Sequence, residues 1–265
     1  MAINLTVVGA AGRMGKKIIA QALASGDFNI TSAIETTGHS DIGNDAGLVA
    51  GVKKIDVNIT DEFAGKSDVV IDFSLPQAAA KTVDYCLSSS SALVMGTTGL
   101  AADQRQMFEN AAKKIPLIYG TNMSVGMNVL FAIVGKTAQM LGEGYDIEII
   151  EQHHRFKKDA PSGSAITLAE KICDATGTNI NDSLIHGRAG KDALRKKGTI
   201  GMHAVRAGDI TGIHSVIFST LGETVTLNHT AHSRDTFVFG ALRAAKFLAD
   251  KNPGSYTMAD VLGIE

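Results

Sequence analysis

Ile3-Asn4-Leu5-Thr6-Val7-Val8-Gly9-Ala10-Ala11-Gly12-Arg13-Met14-Gly15-Lys16-Lys17-Ile18-Ile19-Ala20-Gln21-Ala22-Leu23-Ala24 is the stretch that decides the fold. Ile3 to Val8 is a short apolar run of the kind found in buried parallel strands. Lys16 to Ala24 reads as a helix, with Ile18, Ile19, Ala22 and Leu23 on its apolar face. Between them lies Gly9-x-x-Gly12-x-x-Gly15, and a glycine loop between a strand and a helix is the setting a dinucleotide fingerprint requires. Glycines let the backbone turn tightly and approach a pyrophosphate, whose charge then sits on the helix N-terminus. The spacing departs from GxGxxG by one residue in its first half, and glycine turns of this kind also occur for packing alone. Glu35 strengthens the cofactor reading. It ends a second strand, Asn29 to Ile34, about 20 residues beyond the last glycine, where a carboxylate can accept hydrogen bonds from ribose hydroxyls. Gly9, Ala10, Ala11, Gly12, Arg13, Met14 and Glu35 are therefore the expected first part of a dinucleotide site.

Working outward, Asp68 to Phe73 and Ala92 to Met95 read as further strands. Each precedes a helical pattern, Gln77 to Leu87 and Asp103 to Lys114, and Leu117 to Tyr119 is another short strand. Strands alternating with helices imply a parallel sheet with helices on both faces. In such sheets ligands bind beyond the carboxyl ends of the strands. Gly96-Thr97-Thr98-Gly99 and Gly120-Thr121-Asn122-Met123-Ser124 occupy those positions, so their amides and hydroxyls are expected to orient a nicotinamide; as bare motifs they are also ordinary turns.

The pattern changes near Asn122. Val125 to Leu141 is a long, mostly apolar helix. Longer strands follow at Tyr145–Ile150, His203–Ala207, His214–Ser219 and Glu223–Thr230, joined in part by glycine-containing turns. They suggest an open, largely antiparallel sheet with too few helices to cover both faces, and self-association is the natural cover. The polar, basic segment from Asn181 to Gly198 reads as a long loop, with Lys191 to Lys197 as a solvated face. Phe237 to Leu248 reads as a helix returning to the first domain. The expected division is a dinucleotide domain at 1–124, completed by 235–265, and a substrate-binding and oligomerisation domain at 125–234.

Composition narrows the function classes. The chain has 265 residues, a formal net charge of −2 and two cysteines. No bulk basic field points to nucleic acid. Cys86 and Cys173 stand far apart without a CxxC, which argues against a disulfide framework or structural zinc. No apolar run reaches the roughly 18 residues needed to cross a bilayer, and the first residues read as a strand with no signal peptide, so the cytoplasm is the default location.

The chemistry concentrates in Glu148-Ile149-Ile150-Glu151-Gln152-His153-His154-Arg155-Phe156-Lys157-Lys158-Asp159-Ala160-Pro161-Ser162-Gly163-Ser164-Ala165. Two histidines, three cationic side chains and a Ser-Gly-Ser turn join a strand to a helix, Ile166 to Ile172, with apolar residues on one face. Free N–H groups at a helix N-terminus bind anions, the cations add formal charge, and histidine supplies a proton near neutral pH. The combination suits an anionic substrate protonated during its reaction. A metal is a poor rival, because adjacent histidines project differently and no third ligand has suitable spacing. His39, His186, His203, His214, His229 and His232 read as structural or exposed.

With these residues in view, the chain resembles the 4-hydroxy-tetrahydrodipicolinate reductase (dihydrodipicolinate reductase) family over essentially its whole length. The resemblance rests on the Gly9–Gly15 loop, Gly96-Thr97-Thr98-Gly99, Asn122-Met123-Ser124-Val125-Gly126 and, above all, Glu151-x-His153-His154-x-x-Lys157-x-Asp159-Ala160-Pro161-Ser162-Gly163-Ser164. Arg206-Ala207-Gly208-Asp209-Ile210 and Ser233-Arg234 are smaller matches. The resemblance implies a Rossmann-like N-terminal domain, a C-terminal α+β domain with an open mixed sheet, and a homotetramer built through that sheet. It implies NADH or NADPH as cofactor and a cyclic dicarboxylate substrate in lysine and diaminopimelate synthesis. By this similarity His153 and Lys157 carry the proton transfer, and His154, Ser162, Gly163, Ser164 and Arg234 hold the substrate. Ser164 stands where the family usually has threonine, which keeps the hydroxyl. Thr36 stands where many members carry an arginine that grips a 2′-phosphate.

Two other readings use the same glycine loop. An amino-acid or semialdehyde dehydrogenase needs a different substrate loop, often with a nucleophilic cysteine, and neither cysteine here has that context. A non-catalytic NAD(H) sensor has no use for His153 and Lys157.

Overall fold

The structure is a computed structural model that describes residues 1–264. In chain order the elements are β1 (Ile3–Val8), α1 (Arg13–Ser25), β2 (Phe28–Ile34), α2 (Ala46–Val49), β3 (Ile59–Thr60), β4 (Val69–Asp72), α3 (Ala79–Ser89), β5 (Ala92–Met95), α4 (Ala102–Ala112) and β6 (Pro116–Tyr119). Then follow α5 (Val125–Leu141), β7 (Asp146–His153), α6 (Gly163–Thr176), α7 (Ile180–Ser183), β8 (Leu184–His186), β9 (Ile200–Arg206), β10 (Gly212–Ser219) and β11 (Thr224–Ala231). The last are α8 (Asp235–Leu248), β12 (Gly254–Tyr256) and α9 (Met258–Leu262). They form two compact units, Met1–Val125 with the segment from Asp235 onward, and Gly126–Arg234.

The first unit is a seven-stranded sheet in the order β12-β6-β5-β4-β1-β2-β3, with every pairing parallel. The strands read as continuous apolar runs because both faces are covered. Alternation assigns the faces: Leu5, Val7, Val69, Ile71 and Val94 pack with α1 and α8, whereas Val8, Val70, Leu93 and Met95 pack with α3 and α4. Each large aliphatic side chain buried this way contributes about 1.5–3 kcal/mol. Gly240 lets α8 sit directly on the Met123 carbonyl, where a Cβ would collide with it. The strand order reverses between β1 and β4, and the loops after β1, β2, β4, β5 and β6 share the carboxyl edge of the sheet.

The second unit is a five-stranded sheet in the order β11-β10-β7-β9-β8. The expectation of a largely antiparallel sheet needs correction. β10 pairs antiparallel with β7 and β11, but β7–β9 and β9–β8 are parallel. The chain leaves β7 through α6 before it returns to the sheet, as a crossover to a parallel neighbour requires. β8 falls inside the segment read as one long loop. Its edge position and short length leave too little alternation to detect. The strand read from His203 begins at Ile200, because Gly201 interrupts the apolar pattern although it is buried between Ile200 and Met202.

Ile149, Met202, Val216 and Phe218 face α5 and α6 and form the unit's core with Leu130, Val134, Leu168 and Ile172. The opposite face has no helix of this unit over it. It is less apolar than expected: Ile150, Ile213 and Ile217 alternate with Gln152, Ser215 and the threonines of β11. On that face Glu148 accepts two hydrogen bonds from Arg188 (2.6 and 3.0 Å), one from Arg195 (3.0 Å), and pairs with His203 (2.6 Å), which fastens the basic loop to the sheet.

Candidate active site

The glycine loop is built around a single crowded carbonyl. Gly9 has φ +76°, a left-handed conformation that favours glycine, and its carbonyl accepts from Gly12 N–H at 3.0 Å. A Cβ on Gly15 would run into that same carbonyl, so the third glycine is required for α1 to lie this close. α1 begins with no side-chain cap and no acidic residue in its first turn, which leaves the N–H groups around Arg13 and Met14 open to an anion. Ala10 and Met14 pack inward against the core, so they can meet a ligand mainly through backbone. Glu35 leaves β2 and its carboxylate accepts from Ala11 N–H (3.1 Å) and Thr36 N–H (2.9 Å). Those bonds aim the carboxylate into a cleft lined by Gly9, Thr36, Phe63, Leu75 and Lys81. An adenosine ribose fits this cradle: glycines where a Cβ would intrude, open amides, and a fixed carboxylate.

Asp72 ends β4 completely buried. It accepts from Ser74 N–H (2.8 Å), Ser74 Oγ (2.6 Å), Thr97 Oγ1 (2.9 Å) and Thr82 Oγ1 (2.7 Å). The Thr97 hydroxyl is thus turned into the protein, leaving the backbone of Gly96 to Thr98 and the exposed Thr98 as the groups able to meet a cofactor. Asn122 Oδ1 accepts from Ser124 N–H (2.9 Å), which shapes the Gly120–Met123 turn, and the Met123 side chain lies in the core. Asp72 was detectable only as a lone carboxylate ending an apolar strand.

In the second unit β7 runs to His153, so this histidine sits on the end of a strand and His154 is the first residue of the loop. Alternation puts Glu151 and His153 on one face of β7. Glu151 is completely buried. Its Oε2 lies 2.6 Å from His153 Nδ1 and 2.8 Å from Arg206 Nη1; its Oε1 accepts from Arg206 Nη2 (2.7 Å) and Ser162 N–H (3.1 Å). Burial alone would raise the carboxyl pKa, but hydrogen bonds from His153 and Arg206 outweigh it and hold the group at about 2. Arg206 also donates to the Asp159 carbonyl (2.6 Å), tying the loop down.

Ser162 caps α6: its Oγ accepts from Ala165 N–H (3.2 Å) and lies 3.0 Å from His214 Nε2. Gly163 and Ser164 are the first helical residues, no acid stands in that turn, and a Cβ on Gly163 would meet nothing within 4 Å. A first turn without acidic side chains is the setting an anion site needs. His214 is pushed down to about 4 by burial and by neighbouring His153, so it stays neutral and acts as a packed partner of Ser162. Lys157 pairs with Asp159 at 2.9 Å at the surface of the loop. Arg234 closes the second unit just before α8. The structure therefore gathers His153, Lys157, Ser162, Gly163 and Ser164 around one strand–loop–helix junction. Glu151, Arg206 and His214 complete the cluster, through contacts that their sequence positions do not reveal.

Residues 3–123 match the family description "Dihydrodipicolinate reductase, N-terminus" and residues 126–262 match "Dihydrodipicolinate reductase, C-terminus". The chain belongs to the dihydrodipicolinate reductase family. A 4-hydroxy-tetrahydrodipicolinate reductase of Hahella chejuensis is 43% identical over 265 residues, covering 99% of both chains, and one of Syntrophotalea carbinolica is 41% identical over 266 residues, covering 99% of this chain and all of the other. A dipicolinate-bound dihydrodipicolinate reductase from Paenisporosarcina sp. TG-14 shares the fold, with a TM-score of 0.76 at 21% identity over 98% and 99% of the two chains. An amine dehydrogenase from Mycobacterium smegmatis superposes less closely, at a TM-score of 0.59 and 12% identity over 97% and 95%. The reductase is an oxidoreductase of lysine and diaminopimelate biosynthesis that acts on 4-hydroxy-tetrahydrodipicolinate; the dehydrogenase and sensor readings are not favoured. Its first unit suits a nicotinamide dinucleotide.

Proposed function

We propose that the reductase binds its dinucleotide on the first unit and its dicarboxylate on the second, and that His153 and Lys157 carry the proton transfer. The observation that supports this most is the single hydrogen-bonded cluster joining an imidazole to the N-terminus of α6. When bound, the nicotinamide supplies a hydride to the substrate ring. Negative charge then develops on the substrate, and a positioned acid can neutralise it in the transition state. His153 suits that task, because Nδ1 is engaged by Glu151 and Nε2 remains for the substrate. Gly163 and Ser164 offer N–H groups, and Ser164 a hydroxyl, to one carboxylate, with His154 and Arg234 as further anchors. The surface pair of Lys157 with Asp159 is worth at most about 1 kcal/mol, so an arriving carboxylate can displace Asp159 and recruit the ammonium.

For the cofactor, we favour NADH at least as strongly as NADPH. Glu35 suits free ribose hydroxyls, and Thr36 gives no charge to a 2′-phosphate. Lys16 and Arg13 lie near the loop, but Lys16 is 3.9 Å from Asp41, which already offsets its charge. A homotetramer built through the open sheet face is the assembly we favour, since no helix of the second unit covers that face. The two free, buried thiols suit the reducing cytoplasm.

The test is steady-state reduction of enzymatically made substrate, followed by NADH absorbance, with pyridine-2,6-dicarboxylate as competitor. Competition by this planar dicarboxylate and loss of turnover in His153 and Lys157 variants support the reading. Wild-type turnover in both variants would overturn the catalytic assignment.

A further inference from the structure

We propose that Glu151 is a positioning residue: it dictates which nitrogen of His153 faces the substrate with an exchangeable proton and holds that nitrogen at a set place relative to the α6 N-terminus. The proposal rests on the reading of His153 as the proton donor and adds a residue that never touches substrate.

The chemistry of the contacts carries it. Glu151 is 0% exposed, and each of its oxygens accepts two bonds from different elements. Arg206 grips it in the two-pronged geometry of a guanidinium on a carboxylate, which resists rotation. A carboxylate in this state only accepts. The 2.6 Å contact therefore has one polarity: His153 Nδ1–H donates to Glu151 Oε2. Neutral imidazole must then keep its lone pair on Nε2, and the imidazolium must present its second N–H there. In water, unrestrained neutral imidazole favours the opposite form, with the proton on Nε2. Glu151 thus reverses the intrinsic preference.

The surroundings keep Nε2 clear. A Cβ at Gly212 would stand 3.2 Å from it, so glycine at that position leaves the reacting edge unobstructed. His214 stands edge-on to it at 5.2 Å between centroids and is held neutral, so this neighbour adds no competing positive charge. Because the second oxygen of Glu151 binds the Ser162 amide, the proton donor and the residue that caps α6 hang from the same carboxylate. A proton and an anion cradle held on one rigid group need no reorganisation when substrate arrives.

The alternative is that Glu151 merely neutralises Arg206 and ties the loop down. Two readouts separate these. The first is the long-range proton–nitrogen spectrum of the full-length protein carrying 15N-histidine, recorded without substrate at alkaline pH, with His153→Gln to assign the signal. The expected spectrum shows a protonated Nδ1 and an unprotonated Nε2 for His153. In Glu151→Gln, which keeps the size and removes the charge, the proton should move toward Nε2. The second is kinetic: Glu151→Gln should lose at least about tenfold in kcat, as happens when a carboxylate that fixes a catalytic histidine's tautomer becomes an amide, while KM for substrate and NADH affinity change less than about threefold. Glu151→Asp should restore part of the tautomer signal and part of kcat. A wild-type spectrum with Nε2 protonated overturns the proposal, even if Glu151→Gln fails to fold. So does a folded Glu151→Gln with unchanged tautomer and kcat. Failure of the underlying reading looks different: His153→Ala would turn over normally while the wild-type tautomer remained as described.

Discussion

At the scale of single residues, the candidate site divides into groups that meet ligand and groups that hold them. His153→Ala should lower kcat by about 10²–10⁴-fold, the usual worth of a positioned acid, with NADH affinity unchanged in a fluorescence titration. Lys157→Ala should lower turnover and also weaken pyridine-2,6-dicarboxylate, because it removes a charge and a donor together. Ser164→Thr should leave both nearly unaltered, since the hydroxyl and the helix position remain. If NADH binding collapsed in all three, the loop would belong to the cofactor instead. Cofactor choice is also a residue-scale question. Side-by-side titrations should show NADH binding at least as tightly as NADPH, and a tenfold preference for NADPH, about 1.4 kcal/mol, would contradict the roles given to Glu35 and Thr36. The sequence displayed His153 and Lys157 readily, because charged residues crowd a segment flanked by an apolar strand and a Ser-Gly-Ser turn. It hid the distant residues that brace Glu151 and Ser162. Arg206 reaches Glu151 from 55 residues away, and His214 reaches Ser162 from 52 away, so only the sheet register brings them together.

At the scale of elements, local packing decides which substitutions the fold tolerates. Gly15→Ala puts a Cβ into the Gly9 carbonyl and should destabilise the first unit by about 1–3 kcal/mol, read as a lowered Tm, with weakened NADH binding. Ser162→Ala removes the cap of α6 and leaves His214 Nε2 without its partner; a loss of about 1 kcal/mol or more in denaturant titration is expected. The β–α alternation of the first unit was legible because its central strands are buried on both faces and its helices carry clear apolar stripes. β3, β8 and β12 were not, since two or three residues give no period to count. The parallel β7–β9 pairing was equally hidden: strand direction follows from where α6 crosses, which strand patterns do not encode.

At the scale of the whole molecule, acid should be the weak side. Glu148 and Glu151 are both held at about 2, against an ordinary 4.5. Burial opposes ionisation in each; in Glu148 the hydrogen bonds of Arg188 and His203 win, and in Glu151 those of His153 and Arg206. A depressed carboxylate stabilises the fold fully above its unfolded pKa and loses that contribution as pH falls through the folded one. Stability measured by chemical denaturation should therefore decline between pH 4.5 and about 2, and Glu148→Gln should flatten part of that decline. Sedimentation at micromolar concentration should report a tetramer, and a clean monomer would remove the role given to the open sheet face. The division into two units was partly legible, because Phe237 to Leu248 reads as a helix that returns to the first; β12 pairing with β6 was not. That return has a consequence for synthesis. The first unit is written in two pieces, with the whole second unit between them, and its core lacks α8 until the final part of the chain is made. Domains usually fold in the order in which they leave the ribosome. Here the order should invert: the second unit, continuous in sequence, can close while the nascent chain is still attached, whereas the half-built first unit must wait with Val69, Ile71 and Val94 uncovered, a natural client for a chaperone until the last helix arrives.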